Sequence, residues 1–109
     1  MTLRVALATA ATLGLALELP SAAGAATIYG ALQEGGQPVA DLRVDLQCEG
    51  GRDSKQTDAR GTYRFTVPWT GRCELKARGG SSTVILYNEP ARYDFEIRQV
   101  QGRALLIRR

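Results

Sequence analysis

Cys48 and Cys73 are the residues of this chain best suited to covalent chemistry, and no histidine stands anywhere to assist them. A redox or nucleophilic role would call for Cys-x-x-Cys, or for a cysteine with a histidine partner, and the sequence holds neither. In an oxidising compartment an isolated pair closes into a disulfide. The loop so closed spans about 25 residues, for which chain entropy gives about 3–3.5 kcal/mol of stabilisation. The lack of histidine also removes most metal-dependent and general-base chemistry. Carboxylate-only catalysis needs two acids converging in one pocket, whereas Asp41, Asp45, Asp58 and Glu74 fall at turns or outward positions of the strand pattern. The expectation is a chain with no catalytic residue, no metal ligands and no cofactor.

Chemistry of recognition remains. Trp69, the single tryptophan, lies between Pro68 and Thr70 in a turn, with Arg72 close behind it. Aromatic and arginine side chains dominate binding hot spots and sugar-stacking platforms, so Trp69 and Arg72 are the expected contact residues. The alternative for Trp69 is that it folds back over one end of the core, since tryptophan is highly buried on average. Fourteen Lys+Arg against 11 Asp+Glu give a net charge of +3. The two signs alternate along the strands, as in Arg92, Asp94, Glu96 and Arg98. That is a solvated sheet face rather than a phosphate-binding stripe, and no aromatic platform is interleaved with a basic cluster. Nucleic acid is therefore not an expected partner.

The elements that must position these residues begin after a leader. Arg4 precedes an uncharged run from Val5 to Leu17, broken by Glu18-Leu19-Pro20. Ala23-Gly24-Ala25 then supplies small residues for cleavage, and the layout is that of a secretory signal peptide. The run is short of the 20 or so apolar residues of a membrane span. Residues 1–25 are expected to be removed, with cleavage after Ala26 as the alternative, leaving 26–109 as one domain in the periplasm or outside the cell. A lipid anchor would need a cysteine at the cleavage point, and the first is Cys48.

No helical period follows. Ile28 to Leu32 reads as a strand, Glu34 to Pro38 as a turn, and Leu42, Val44, Leu46 and Cys48 as the buried face of a second strand. Glu49 to Asp53 reads as a loop and Ser54 to Thr57 as a polar edge strand. Asp58 caps a turn with its side chain and Gly61 reverses the chain, so that Tyr63, Phe65 and Val67 point inward. Cys73, Leu75 and Ala77 form the next buried set, with Gly79-Gly80 as the following connection. Thr83 to Tyr87 reads as a central strand covered on both sides. Tyr93 to Ile97 and Ala104 to Ile107, joined through Gln101-Gly102, complete the pattern. Seven or eight short strands with turn signals about every 8–12 residues predict an all-β two-sheet sandwich of Greek-key type.

Three segments carry a family resemblance: Ile28-Tyr29-Gly30, the stretch Gly36-Gln37-Pro38-Val39-Ala40-Asp41-Leu42-Arg43-Val44-Asp45-Leu46, and Thr57-Asp58-Ala59-Arg60-Gly61-Thr62-Tyr63-Arg64-Phe65. Their order and spacing resemble the carboxypeptidase regulatory-like domain, a transthyretin-like (prealbumin-like) β-sandwich, over residues 28–77 and more loosely beyond. The resemblance implies a non-catalytic module. Hydrolases and dioxygenases built on related sandwiches rely on histidines, so none of their roles transfers to a residue here. The functional expectation is an exported, non-enzymatic interaction module whose partner is a protein or a cell-envelope polysaccharide. The alternative is an inhibitor or accessory subunit of an exported enzyme. A pilin-like Lys–Asn isopeptide bond is set aside, because Lys55, Lys76 and Asn88 lack the first-strand and last-strand placement it requires.

Overall fold

The computed structural model describes residues 25–109, so the expected leader lies, but for Ala25, outside the described residues. These residues form ten strands and no helix: β1 (Ala26–Glu34), β2 (Gln37–Pro38), β3 (Arg43–Cys48), β4 (Gly51–Gln56), β5 (Thr62–Val67), β6 (Gly71–Ala77), β7 (Gly80–Leu86), β8 (Ala91–Arg92), β9 (Phe95–Val100) and β10 (Arg103–Arg108). The first sheet is built on β1, which pairs antiparallel with β5 and β2 on one side and parallel with β8 and β9 on the other; β10 follows β9. The second sheet runs β4-β3-β6-β7, antiparallel throughout. The all-β sandwich expected from the alternation is the observed fold.

Period-two patterning sets the layers, because successive side chains of a strand point to opposite faces. Ala26, Ile28 and Leu32 of β1, Tyr63, Phe65 and Val67 of β5, and Phe95 and Ile97 of β9 face inward from the first sheet. Val44, Leu46, Cys73, Leu75, Ala77, Val84 and Leu86 meet them from the second. The buried threonine Thr57 is fully satisfied: its Oγ1 accepts from the N–H of Leu42 and donates to the carbonyl of Val39, pinning the segment before β3. Two hairpins turn through Arg78-Gly79 and Gln101-Gly102, both residues of each pair at positive φ. That is the backbone a two-residue type I′ loop demands.

Several expectations need correction. The strand expected over 83–87 to be covered on both faces is β7, an edge strand with one buried face, since Ile85 and Thr83 point away from Val84 and Leu86. A β-branched run reads alike in either position, and only the pairing partners distinguish them. The connection expected at Gly79-Gly80 lies one residue earlier, and Gly80 belongs to β7. The loop expected over 49–53 closes within Glu49-Gly50, so β4 begins at Gly51.

The expected continuous strand over Tyr93–Ile97 is interrupted. β8 and β9 keep one register against β1, pairing Tyr29 with Arg92 and Leu32 with Phe95, but the ladder opens at Tyr93-Asp94. A Cβ added to Gly30 would lie 1.8 Å from the Tyr93 carbonyl oxygen. Only a glycine allows that approach. Side chains complete the opened ladder: the Tyr63 hydroxyl donates to the Tyr93 carbonyl at 2.6 Å, and Asp94 Oδ1 accepts from the N–H of Ala31 at 2.8 Å.

Cys48 and Cys73 form the expected disulfide, with Cα atoms 4.3 Å apart, but they are directly opposed on neighbouring β3 and β6. The bridge therefore staples one sheet and does not join the layers. That task falls to Tyr93, whose ring oxygen accepts from the N–H of Ile85 at 3.1 Å and lies 3.3 Å from its carbonyl oxygen, closing the free edge of β7 from the opposite sheet.

Substituting Gly30→Ala is expected to cost about 3 kcal/mol or more, the upper range for overpacking, because the obstacle is backbone rather than a flexible side chain. Urea denaturation checks this; a midpoint within error of wild type would show that the Tyr93 carbonyl can move aside.

Candidate functional site

The two expected contact residues do not share a depression. Trp69 is half-buried and packs against the core. Its indole lies on the β3–β4 connection, where a Cβ on Gly50 would come within 2.6 Å of Cδ1 and one on Gly51 within 2.3 Å of Cζ2. The glycine pair is the seat of the indole. Arg72 is exposed in β6, on the outward set opposite Ile85. A shallow depression of about 280 Å³ opens beside this loop, lined by Thr70, Gly71, Ile85, Leu86, Tyr87 and Asn88, with Tyr87 57% exposed. Neither Trp69 nor Arg72 lines it.

A more developed arrangement occupies the outer face of the first sheet. Tyr29 is the outward residue at the middle of β1, and the register places Arg64 of β5 on one side of it and Arg92 of β8 on the other. The Arg64 guanidinium carbon lies 5.7 Å from the centre of the Tyr29 ring, a cation–π contact. Arg92 is held by Asp94, Nε to Oδ2 at 2.9 Å. The neighbouring outward positions are small: Thr27 faces Thr66, their hydroxyls 3.2 Å apart, and Ala31 faces Thr62. Low relief around a ring flanked by cations leaves an open depression of about 490 Å³, which Lys55 and Gln56 of β4 and Asp58 of the following turn also line.

Three of the four acids expected at turns or outward positions, Asp45, Asp58 and Glu74, make hydrogen bonds within the fold. Asp58 Oδ1 accepts from the N–H groups of Arg60 and Thr62, both at 2.9 Å, and Oδ2 accepts from the Thr62 hydroxyl. The hydroxyl first, and then the backbone donors, hold its carboxyl below the usual carboxylate range. Asp45 is also lowered, by the Ser54 hydroxyl and then by Arg43. Glu74 accepts from the Thr83 hydroxyl at 2.8 Å. Burial, with the nearby charge of Asp94, raises the Tyr63 phenol, which stays neutral and serves as a hydrogen-bond donor. Among the described residues no three His, Cys, Asp or Glu side chains converge as a metal site.

Sequence reasoning gave no contact role to Tyr29, Arg64, Arg92 or Lys55: Arg92 read as part of a solvated sheet face, Lys55 as an isopeptide candidate set aside, and Arg64 as part of a family motif. Each stands at an outward position of its strand, which alternation shows, but the row exists only through the pairing of β5 and β8 with β1. Tyr29 drew notice solely as part of the opening motif.

No protein-family model matches the chain, and no curated protein matches it. Solved structures share the fold. A DUF3823 family protein from Parabacteroides merdae superposes with a TM-score of 0.54 at 16% identity, over 79% of this chain and 47% of that one. The minor pilin of Streptococcus agalactiae gives 0.54 at 13% identity, over 77% and 45%. A candidate carbohydrate-binding protein from Bacteroides uniformis gives 0.50 at 17% identity, over 66% and 42%. The chain thus spans less than half the length of each. At these identities the likeness is one of fold alone, a β-sandwich.

Two outcomes follow from the site's construction. The charged form of Asp58 is the hydrogen-bonded one, so its contribution to stability is present above the carboxyl's unfolded pKa and is lost as pH falls through the lower folded value. Asp58→Asn should therefore flatten the acid limb of stability below about pH 4, measured as urea midpoints across pH; parallel limbs would show that the cap carries no linkage. Gly51→Ala should push the indole of Trp69 off its seat, giving red-shifted emission and stronger quenching by iodide. An unchanged spectrum would mean that the indole does not rest there.

Proposed function

We propose that this chain is an exported, non-enzymatic β-sandwich binding module whose ligand is a cell-envelope glycan or protein, and that the Tyr29 face is its principal contact surface. The observation that carries this reading is the Arg64–Tyr29–Arg92 row, an aromatic ring between two cations on an otherwise low, hydroxyl-bearing sheet face. Such a row adds little to the core, and arginine with tyrosine is the pairing enriched where proteins make contact. The candidate carbohydrate-binding protein and the minor pilin sharing this fold are in keeping with a glycan or protein ligand.

Export rests on the leader of residues 1–25 and is supported by the disulfide, which persists in oxidising compartments. Cleavage after Ala25 is favoured over Ala26, because Ala26 is 1% exposed in β1 and pairs with Val67. No helix among the described residues is long and apolar enough to cross a membrane. The finer assignment to a carboxypeptidase regulatory-like domain rests on the Gly36–Leu46 and Thr57–Phe65 motifs. The Trp69–Arg72 loop is proposed as a second contact, next to Tyr87 and Asn88.

Sedimentation with insoluble envelope material tests the reading. Wild-type protein should pellet with it, Tyr29→Ala/Arg64→Ala should stay in the supernatant, and Trp69→Ala should show a smaller loss. Retention of the double variant at the wild-type level would remove the Tyr29 face from the proposal.

A further inference from the structure

We infer that the Tyr29 face is built for an acidic polysaccharide, a chain of sugars bearing carboxylates, with Arg64 and Lys55 as the groups that meet the charge. This deepens the binding-module reading above and rests on it. The first argument is the charge inventory. Arg64, Arg92 and Lys55 line one depression with a single acid, Asp58. Both Asp58 oxygens are engaged by the Arg60 and Thr62 donors, so that carboxylate stays charged but makes no ion pair with the cations. Arg92 is neutralised by Asp94. Among the described residues Arg64 and Lys55 have no carboxylate within 4.0 Å. With the charge of Asp58 counted against them, the depression keeps an excess of positive charge, carried by the two cations that have no ion-pair partner.

The second argument is geometry. The guanidinium carbon of Arg64 lies 5.7 Å from the centre of the Tyr29 ring, within cation–π range, on an exposed side chain. A guanidinium presents a planar fork that matches a carboxylate, and its preorganised donors lose less freedom per hydrogen bond than an ammonium does. Lys55 comes from β4 of the other sheet, so the cations are spread over the seam between the sheets rather than gathered at one point. Spread charge suits a polymer with repeated acidic groups better than one small anion.

The third argument selects sugar over peptide. Tyr29 is paired through β1 to β5 and to β8, so no partner strand can add itself beneath it, and one mode of peptide binding, addition to a sheet edge, is confined to the outer edge of β5. Gly30, Gln56 and Thr62 are among the residues lining the depression around the ring, and the outward positions beside it, Thr27, Thr66 and Ala31, are small; this low, polar surface gives no apolar hole for a side chain. Sugar rings carry hydroxyls in every direction and stack on an aromatic face.

Titration calorimetry of the full mature chain should use oligogalacturonate and oligoalginate as acidic probes, cellohexaose as a neutral one and poly-glutamate as a charge-matched peptide. At least one uronate should bind, with affinity falling as salt rises. Arg64→Ala and Tyr29→Ala should each weaken it about tenfold or more; Arg64→Lys should not restore it, and Tyr29→Phe should. Arg64 is exposed on the sheet face, and far-ultraviolet spectra of the variants confirm that they fold. Tyr29-dependent binding of cellohexaose equal to that of the uronates overturns the acidic specificity and leaves the binding-module reading standing. Equal binding of poly-glutamate overturns the choice of polysaccharide. Failure of both uronates overturns the inference outright, whereas failure of the envelope sedimentation described above would bring down the broader reading.

Discussion

The fold depends on one tight contact, the seating of the Tyr93 carbonyl against the bare Cα of Gly30. The parallel ladder between β1 and the β8–β9 strand holds as far as the Tyr93 N–H, which donates to the Tyr29 carbonyl; beyond it two side chains take over, and a third bond leaves for the other sheet. Tyr63 donates to the Tyr93 carbonyl, Asp94 accepts from Ala31, and the Tyr93 hydroxyl reaches Ile85 on the opposite sheet. Arg108 then stacks over the Tyr93 ring at 4.1 Å and donates to the carbonyl of Arg92, tying the last strand to the same point. A buried backbone group left without a partner costs about as much as a lost hydrogen bond. The interruption persists because every group it frees is met. Strands β1, β5, β7, β8 and β10 are all fastened through this one residue pair.

That knot explains the motif that first pointed to the fold. Thr57, Asp58, Gly61, Tyr63 and Phe65 each do something structural: Thr57 pins the segment before β3, Asp58 and Gly61 make the turn, Tyr63 meets the Tyr93 carbonyl, and Phe65 is wholly buried. A motif whose every fixed position is spent on folding carries no statement about a ligand. Evidence for function has to come from residues that the fold does not need, and Tyr29, Arg64 and Lys55 are of that kind.

What was legible in the sequence follows the same division. Alternation is a local property, so the inward faces of β3, β5 and β6 and the Asp58 turn could be read directly. The disulfide was legible from the cysteine count and the leader, but its placement within one sheet was not, because neighbouring strands in space are not neighbours in the chain. For the same reason Thr83–Tyr87 passed for a central strand, and the row across Tyr29 went unseen. Trp69 shows the limit from the other direction. Its isolation in a turn read either as a contact residue or as a cap over one end of the core, and the Gly50-Gly51 seat that half-buries it lies about 20 residues earlier in the chain and becomes meaningful only when the two loops meet.

Placing recognition on the flat of a sheet, rather than on its loops, has a physical consequence. The Cα positions of Tyr29, Arg64 and Arg92 are fixed by ladder pairing on β1, β5 and β8, and the Gly30–Tyr93 knot lies one residue away from two of them. Groups held by paired strands lose little further freedom on binding, so less of the interaction is consumed in ordering them. Loops would give a better-shaped pocket but a less settled one. A sheet face gives a shallow surface on which affinity per contact is modest and orientation is reproducible. Such a surface suits a repetitive polymer, where many equivalent registers raise the chance of rebinding, more than a small molecule that must be enclosed. The same pairing that closes the β1 backbone to a partner strand therefore narrows what the Tyr29 row can recognise: side-chain charge and a ring face are what it has to offer.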